Sequence, residues 1–268
     1  MATEHFFHPE SATLLKTLDE AADRSGLSRG RVFEDFLQMV VSSLSGGRME
    51  DQYLDAVKRH ARGEKGRRGC DLLARMFGEL VEAMEQTRSD VLGDLFQGAI
   101  THGENGQFMT PESVCELMAR MTVEDSNEAG THERRNLFDS CCGSGRLLLA
   151  AAKLQPHWEF YGQDIDLRCV RMTTINLALR NLYGYVIWGN TLANERRLVY
   201  RTGFDQTGFI SEVPLGDCPE PVQKIAVQAS VPPAETAAAP TPRDESSHAG
   251  VEGSEADMPR RTNQLHLF

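Results

Sequence analysis

Asn136-Leu-Phe-Asp-Ser-Cys-Cys-Gly-Ser-Gly-Arg-Leu-Leu-Leu-Ala-Ala-Ala-Lys-Leu154 is the stretch on which the fold turns. A short apolar strand ends in an acid, Asp139. A turn containing Gly143 and Gly145 follows, and then a helical segment, Arg146 to Leu154. Glycines between a strand and a helix let backbone come close to a ligand, and the helix start offers unpaired N–H groups. A lone Gly-Ser-Gly is common in loops, so the weight falls on what comes next. Trp158 to Tyr161 reads as a second strand leading into Gly162-Gln-Asp-Ile-Asp166. Residues 167–182 read as a helix with Met172, Ile175, Leu179 and Leu182 inward, and Tyr185 to Trp188 as a third strand followed by Gly189-Asn190.

Strand, glycine turn, helix, strand, acid, helix, strand is the order of an α/β protein with a doubly wound parallel sheet. Such sheets bind ligands outside the carboxyl ends of their strands. Asp139, Asp164 with Asp166, and Asn190 stand at three successive strand ends. A carboxylate at the second strand can accept both hydroxyls of a ribose, so the pattern suits an adenosine-type ligand. The competing reading is that Asp164 and Asp166 only cap the following helix.

Upstream, the spacing predicts helices. Leu14, Leu15, Leu18, Ala21 and Ala22 share one helical face. Val32, Phe33, Phe36, Leu37, Val40 and Val41 share another, with breaks at Ser25-Gly26 and Ser45-Gly46-Gly47. A short helix over residues 53–60 and an amphipathic one over 70–87 follow. Ser89 is placed to cap a further helix, Val91 to Ala99. Residues 1–87 are therefore expected to form a helical subdomain. Downstream, residues 209–213 suggest a fourth strand. From Pro214 to Thr262 the chain is rich in Pro, Ala, Ser and Glu, which predicts a disordered linker.

Several stretches resemble the class γ adenine-N6 DNA methyltransferases, particularly the modification subunits of type I restriction systems. Asp139-Ser-Cys-Cys-Gly-Ser-Gly-Arg-Leu-Leu-Leu-Ala-Ala resembles their first motif, Tyr161-Gly-Gln-Asp-Ile-Asp their second and Trp188-Gly-Asn-Thr-Leu their third. Asp90-Val-Leu-Gly-Asp-Leu-Phe and Gly106-Gln-Phe-Met-Thr-Pro-Glu-Ser-Val-Cys-Glu-Leu-Met are similar to the stretch preceding the fold. The likeness covers about residues 88–192. It implies a Rossmann-like methyltransferase fold over residues 88–213 that binds S-adenosylmethionine. In that resemblance Phe108 and Thr110 line the methionine end. Asp139 holds the amino group, and the turn Cys141, Gly143, Ser144 and Gly145 gives backbone access. Asp164 takes the ribose hydroxyls, Ile165 lies against the adenine, and Asn190 lies near the adenine amine. Ser140 stands where the family usually has Pro, and Met109 where an aromatic is common.

The family's fourth motif is Asn or Asp, then Pro-Pro, then Tyr or Phe. Its polar groups accept the hydrogens of the target amine while the ring stacks on the flipped base. Nothing in these 268 residues fits it, and the only Pro-Pro, Pro232-Pro233, follows Ser230-Val231. No catalytic residue is therefore assigned. A sheet ending at four strands would leave an open edge. A second copy, a partner chain or the N-terminal helices are expected to cover it.

The last residues regain hydrophobicity. Gln264-Leu-His-Leu-Phe268 resembles the peptide by which bacterial replication and repair proteins hold the sliding clamp. Leu267 and Phe268 would fill an apolar pocket, with Gln264 hydrogen-bonding beside it and Leu265 completing the clamp-binding pattern. The formal charge is −11, from 39 acidic and 28 basic side chains. That argues against an extended DNA-binding face, although Lys58 to Arg68 and Arg196, Arg197 and Arg201 form local basic clusters. The six cysteines form no C-x-x-C pair, so no zinc site is expected. No apolar run spans a bilayer and no signal sequence opens the chain, which points to the cytoplasm. Three functions follow: a degenerate methyltransferase acting through DNA, the clamp or restriction-modification partners; an active enzyme completed by another chain; or an interaction module without cofactor.

Overall fold

The computed structural model describes residues 6–101, 107–123, 135–205 and 208–221. The helical layer comes first. Helix α1 is Pro9–Ser25, α2 Arg29–Ser43, α3 Glu50–Arg59, α4 Gly69–Thr87 and α5 Val91–Leu95. Helix α1 stops at Gly26, whose left-handed φ of 65° closes the helix end. A π-helical turn, Phe96–Thr101, extends α5, and α6 is Glu112–Thr122. The cap of α5 is Asp90, which accepts from the Gly93 N–H at 2.9 Å. The neighbouring Ser89, expected to be the cap, instead donates to Glu112.

Asp35 on α2 holds this layer together. It is buried and accepts from Arg59 at 2.7 and 2.9 Å and contacts His60 at 3.0 Å. Burial works to raise its pKa, but the hydrogen bonds from His60 and Arg59 outweigh it and hold the carboxyl at about 2. The group therefore stays ionised, and its contribution to stability is lost only as pH falls through that low value.

The sheet has the order β1-β2-β3-β4-β5. Strands β1 (Asn136–Asp139), β2 (Glu159–Asp164) and β3 (Gly184–Trp188) are parallel, as the sequence predicts. Helices α7 (Arg146–Leu154) and α8 (Leu167–Leu179) make the crossovers. Both pack on one face, where Leu148, Ala151, Met172 and Ile175 meet Phe160, Val186 and Tyr200, and the core continues into α1, α2 and α4. Alternate strand residues, Tyr161, Tyr185, Ile187 and Val199, form a smaller cluster on the opposite face. Tyr161 and Tyr185 stack there with ring centroids 5.4 Å apart.

Beyond Asn190 the structure departs from expectation. The fourth strand is β4, Leu198–Asp205, and it runs antiparallel to β3. Residues 209–213 belong instead to a fifth strand, β5 (Gly208–Glu212), antiparallel to β4. The chain turns back on itself because Gly203 and Gly208 take left-handed φ values of 102° and 111° in this hairpin. The far edge is covered by the loop after α2, because the Leu44 carbonyl accepts from the N–H groups of Phe209 and Ile210 at 3.0 and 3.1 Å. Among the described residues the outer edge of β1 has no strand beside it.

The fold also runs past Pro214, where disorder was expected. Leu215–Asp217 is a 3-10 turn, Cys218 is buried against the second face and Glu220 pairs with Arg196 at 2.7 Å. Residues 222–268, including most of the expected linker and the clamp-like peptide Gln264 to Phe268, lie outside the described residues. No helix among the described residues is long and apolar enough to cross a membrane.

Candidate functional site

The carboxyl ends of β1, β2 and β3 put Asp139, Asp164 and the Gly189-Asn190 turn side by side. The loops that leave these ends are tied to one another. Gly143 N–H donates to Asp164 Oδ2 at 2.9 Å, Cys142 N–H to the Gln163 carbonyl at 3.0 Å, and Thr191 Oγ1 to the Ser140 carbonyl at 2.7 Å. Gly189 has to be glycine, because a Cβ there would sit 1.9 Å from the Glu195 carbonyl oxygen.

The two carboxylates have different partners. Asp139 accepts one hydrogen bond, from Cys141 N–H to Oδ1 at 3.2 Å, and its other oxygen accepts none from the described residues. Burial, with the charge of Asp164 adding, raises its pKa. Asp164 accepts from Gly143 N–H and Asp166 N–H, yet burial still raises its pKa. Two partly buried carboxylates held where ionisation is unfavourable suit a ligand that brings positive charge and hydrogen-bond donors.

Asp166 behaves otherwise. It caps α8 through Arg168 N–H at 2.8 Å, pairs with the Arg168 guanidinium at 2.6 Å and accepts from Gln107 at 2.9 Å. Of the two readings of this acid pair, capping is the role of Asp166, while Asp164 faces the glycine turn.

The other sequence-predicted residues are placed differently from one another. Phe108 and Ile165 are apolar and exposed, 72% and 61%, at the same end of the sheet as the acids. Gly143 and Gly145 have left-handed φ values of 54° and 89°, and Gly145 is the N-cap residue of α7. Ser144 is buried and turned away, its hydroxyl donating to Asp90. The side-chain oxygen of Asn190 accepts from Leu192 and Ala193 N–H, so it folds its own turn and has its amide NH2 left for a ligand. Thr110 lends its carbonyl to Arg146 at 3.2 Å. Cys141 is an exposed free thiol.

Sequence reasoning missed three supports. Gln107 ties the segment before α6 to Asp166, and Trp188 donates its indole N–H to the Ile165 carbonyl at 3.0 Å. Asp90 gathers the turn from behind. Its aspartate-to-glycine spacing ahead of an apolar run, Asp90 to Gly93, is a helix-capping signal that was available.

Residues 87–206 match the N-6 DNA methylase family. The methylase-like segment thus spans α5 to β4 and contains every strand end described above. The chain is similar to the type I restriction enzyme MpnII methylase subunit of Mycoplasma pneumoniae, 26% identical over 113 residues, covering 38% of this chain and 20% of that protein. It is also similar to the type I restriction enzyme MjaIX methylase subunit of Methanocaldococcus jannaschii, 28% identical over 154 residues, or 51% of this chain and 26% of that one. The chain therefore aligns with about a quarter or less of each relative's length. Two solved structures are alike at lower identity. One is a type I restriction-modification methyltransferase subunit from Streptococcus thermophilus (17% identity, TM-score 0.31, 64% of this chain and 56% of that one). The other is a putative class I S-adenosylmethionine-dependent methyltransferase from Listeria monocytogenes (16%, TM-score 0.40, 69% and 55%).

The basic clusters are largely neutralised by their own neighbours. Lys58 pairs with Asp55, Arg59 with Asp35, Arg68 with Asp71, Arg196 with Glu220, Arg197 with Glu195 and Arg201 with Asp205. Among the described residues no group of three or more His, Cys, Asp or Glu side chains is arranged to hold a metal ion.

Proposed function

We propose that this chain is an S-adenosylmethionine-binding protein of the adenine-N6 DNA methylase type that does not itself carry the base-binding half of the reaction. The observation that carries the reading is the pair Asp139 and Asp164, raised in pKa by burial at adjacent strand ends beside a left-handed glycine turn. Asp139 would accept the ligand's ammonium, Asp164 its ribose hydroxyls, and Phe108 and Ile165 would flank it. The amide NH2 of Asn190 and the backbone of Cys141, Gly143, Ser144 and Gly145 would add polar contacts, with Thr110 at the methionine end. When bound, the ligand supplies an electrophilic methyl group. The 268 residues hold no Asn-Pro-Pro-Tyr-type motif to present an adenine to it. In this reading residues 1–87 are a helical scaffold and 88–213 the cofactor domain. The protein works through DNA, the sliding clamp or restriction-modification partners in the cytoplasm.

A second reading is favoured by one feature. The outer edge of β1, which has no strand beside it among the described residues, ends in Asp139, so a strand added there by another chain would arrive beside the cofactor and could bring the missing motif. Isothermal calorimetry with S-adenosylmethionine is expected to show one site per chain. Methyl transfer to adenine-containing duplex DNA is expected to be absent for the chain alone. Absence of binding would overturn the cofactor reading, and methylation by the chain alone would overturn the claim that the base-binding half is missing.

The peptide Gln264 to Phe268 is proposed as a sliding-clamp ligand on its sequence pattern. Deleting the last five residues is expected to abolish capture by purified clamp, and unchanged capture would remove this part of the proposal.

A further inference from the structure

Asp90 lies outside the cleft, yet four donors converge on it, three of them from the glycine turn, α7 and α8. Its side chain is 1% exposed. Oδ1 accepts from Gly93 N–H at 2.9 Å and Asn176 Nδ2 at 2.8 Å, and Oδ2 accepts from Ser144 Oγ at 2.5 Å and Arg146 Nε at 2.8 Å. The network then branches. Asn176 also donates to the Ser144 carbonyl at 2.8 Å, and Arg146 also donates to the Thr110 carbonyl at 3.2 Å. One carboxylate thus binds the second glycine-turn residue, the first residue of α7 and the middle of α8, and through Arg146 it reaches the segment carrying Phe108. The space around it is closed, because a Cβ at Gly93 would sit 1.9 Å from Asp90 Oδ2 and 2.4 Å from Ser144 Oγ.

We infer that Asp90 is a positioning residue for the cofactor cleft, holding the glycine turn and the Phe108–Thr110 segment in the one relative placement that fits the ligand. The inference rests on the reading of the cleft as an S-adenosylmethionine site. The carboxylate is required rather than any polar group of its size. An amide at position 90 would present a donor where Oδ2 now accepts, facing the Arg146 guanidinium and the Ser144 hydroxyl. Arg146, buried on the inner side, would then lose its only carboxylate partner among the described residues. Free of that anchor, Ser144 and the turn N–H groups next to it no longer have one orientation. A cleft that must first be ordered binds more weakly.

Asp94 supplies the control. It sits one turn along the same helix, is equally buried, and accepts from Phe7 N–H, His8 N–H and Ser11 at the start of α1, away from the cleft. Calorimetry with S-adenosylmethionine on the full chain would compare wild type, Asp90→Asn, the milder Ser144→Ala and Asp94→Asn. Loss of buried charge-assisted bonds is expected to raise Kd about tenfold or more for Asp90→Asn and about threefold for Ser144→Ala. Asp94→Asn is expected to stay within about twofold, even if its melting temperature falls as far. Hydrogen exchange without ligand is read in parallel. Asp90→Asn should speed the amides of Gly143 to Arg146 and of Met109 and Thr110, and Asp94→Asn those of Phe7 to Ser11. If Asp90→Asn and Asp94→Asn shift Kd equally, or the turn amides do not respond to Asp90→Asn, the inference is overturned. If Asp90→Asn does not fold, Ser144→Ala decides by the same two readouts. If wild type binds nothing, the cofactor reading fails by itself, and the exchange pattern still decides whether Asp90 holds the turn.

Discussion

Asp139→Asn is expected to weaken S-adenosylmethionine binding and, in the same molecule, to raise the melting temperature. The loss comes from replacing an ionised acceptor by a neutral amide opposite a ligand ammonium. A charge-assisted hydrogen bond is worth about 2–3 kcal/mol, or roughly 30- to 150-fold in Kd. The gain follows from the sign of the pKa shift. Burial raises Asp139, and the neighbouring Asp164 adds to it. A carboxyl whose folded pKa lies above its unfolded value contributes stability below that unfolded value and loses it as pH rises through the folded one. At neutral pH the ionised Asp139 therefore destabilises the fold, and the amide removes that cost. The same shift predicts that wild-type affinity falls as the pH is lowered, beginning above the ordinary carboxylate value of 3.8, and that Asp139→Asn shows a flatter profile. Calorimetry across pH and thermal melts check both halves. Unchanged affinity in Asp139→Asn would remove Asp139 from the site. A lowered melting temperature would show that its burial is structural.

Gly184→Ala is expected to be the most damaging single methyl addition in the sheet. Gly184 opens β3 opposite Phe160. A Cβ there would lie 1.9 Å from the Phe160 carbonyl oxygen and 2.8 Å from its carbon. These are backbone atoms of the neighbouring interior strand β2 and cannot turn aside, so β2 and β3 must separate. The expected cost is about 3 kcal/mol or more, or failure to fold. Gly78→Ala has the opposite sign. Gly78 is in the middle of α4 with nothing within 4 Å of its would-be Cβ, so alanine there should stabilise by about 0.5–1 kcal/mol. Urea titration of the two variants reads both signs against one baseline. A Gly184→Ala midpoint equal to wild type would contradict the close approach of β2 and β3.

The parallel half of the sheet was legible because two signals coincide there. Apolar runs mark β1, β2 and β3, and each ends at a polar residue that the fold brings to one edge. β4 was not legible, because Leu198–Asp205 contains Arg201 and Asp205 and lies beyond the third family-like motif. Its alternation, Val199 to one face and Tyr200 to the other, becomes meaningful only once β3 is beside it. The site divided in the same way. Residue types at strand ends named Asp139 and Asp164. The sorting of Asp164 from Asp166 needed Arg168 and Gln107 in place, and the inward turn of Ser144 needed Asp90, 54 positions earlier. Contacts of that span leave no mark on local pattern.

The Leu44 carbonyl that caps β5 has a consequence for symmetry. A sheet with two open edges can add copies of itself head to tail without limit, as a ribbon does. Here, among the described residues, β1 and β5 are the two edge strands, and the β5 edge is partly occupied, because the Leu44 carbonyl takes the N–H groups of Phe209 and Ile210. Two copies joined at the less obstructed edge would use that edge twice, β1 against β1 about a two-fold axis, in a closed pair with its two Asp139 strands at the seam. The loop after α2 works against open-ended growth by standing where a further strand would have to pair with β5.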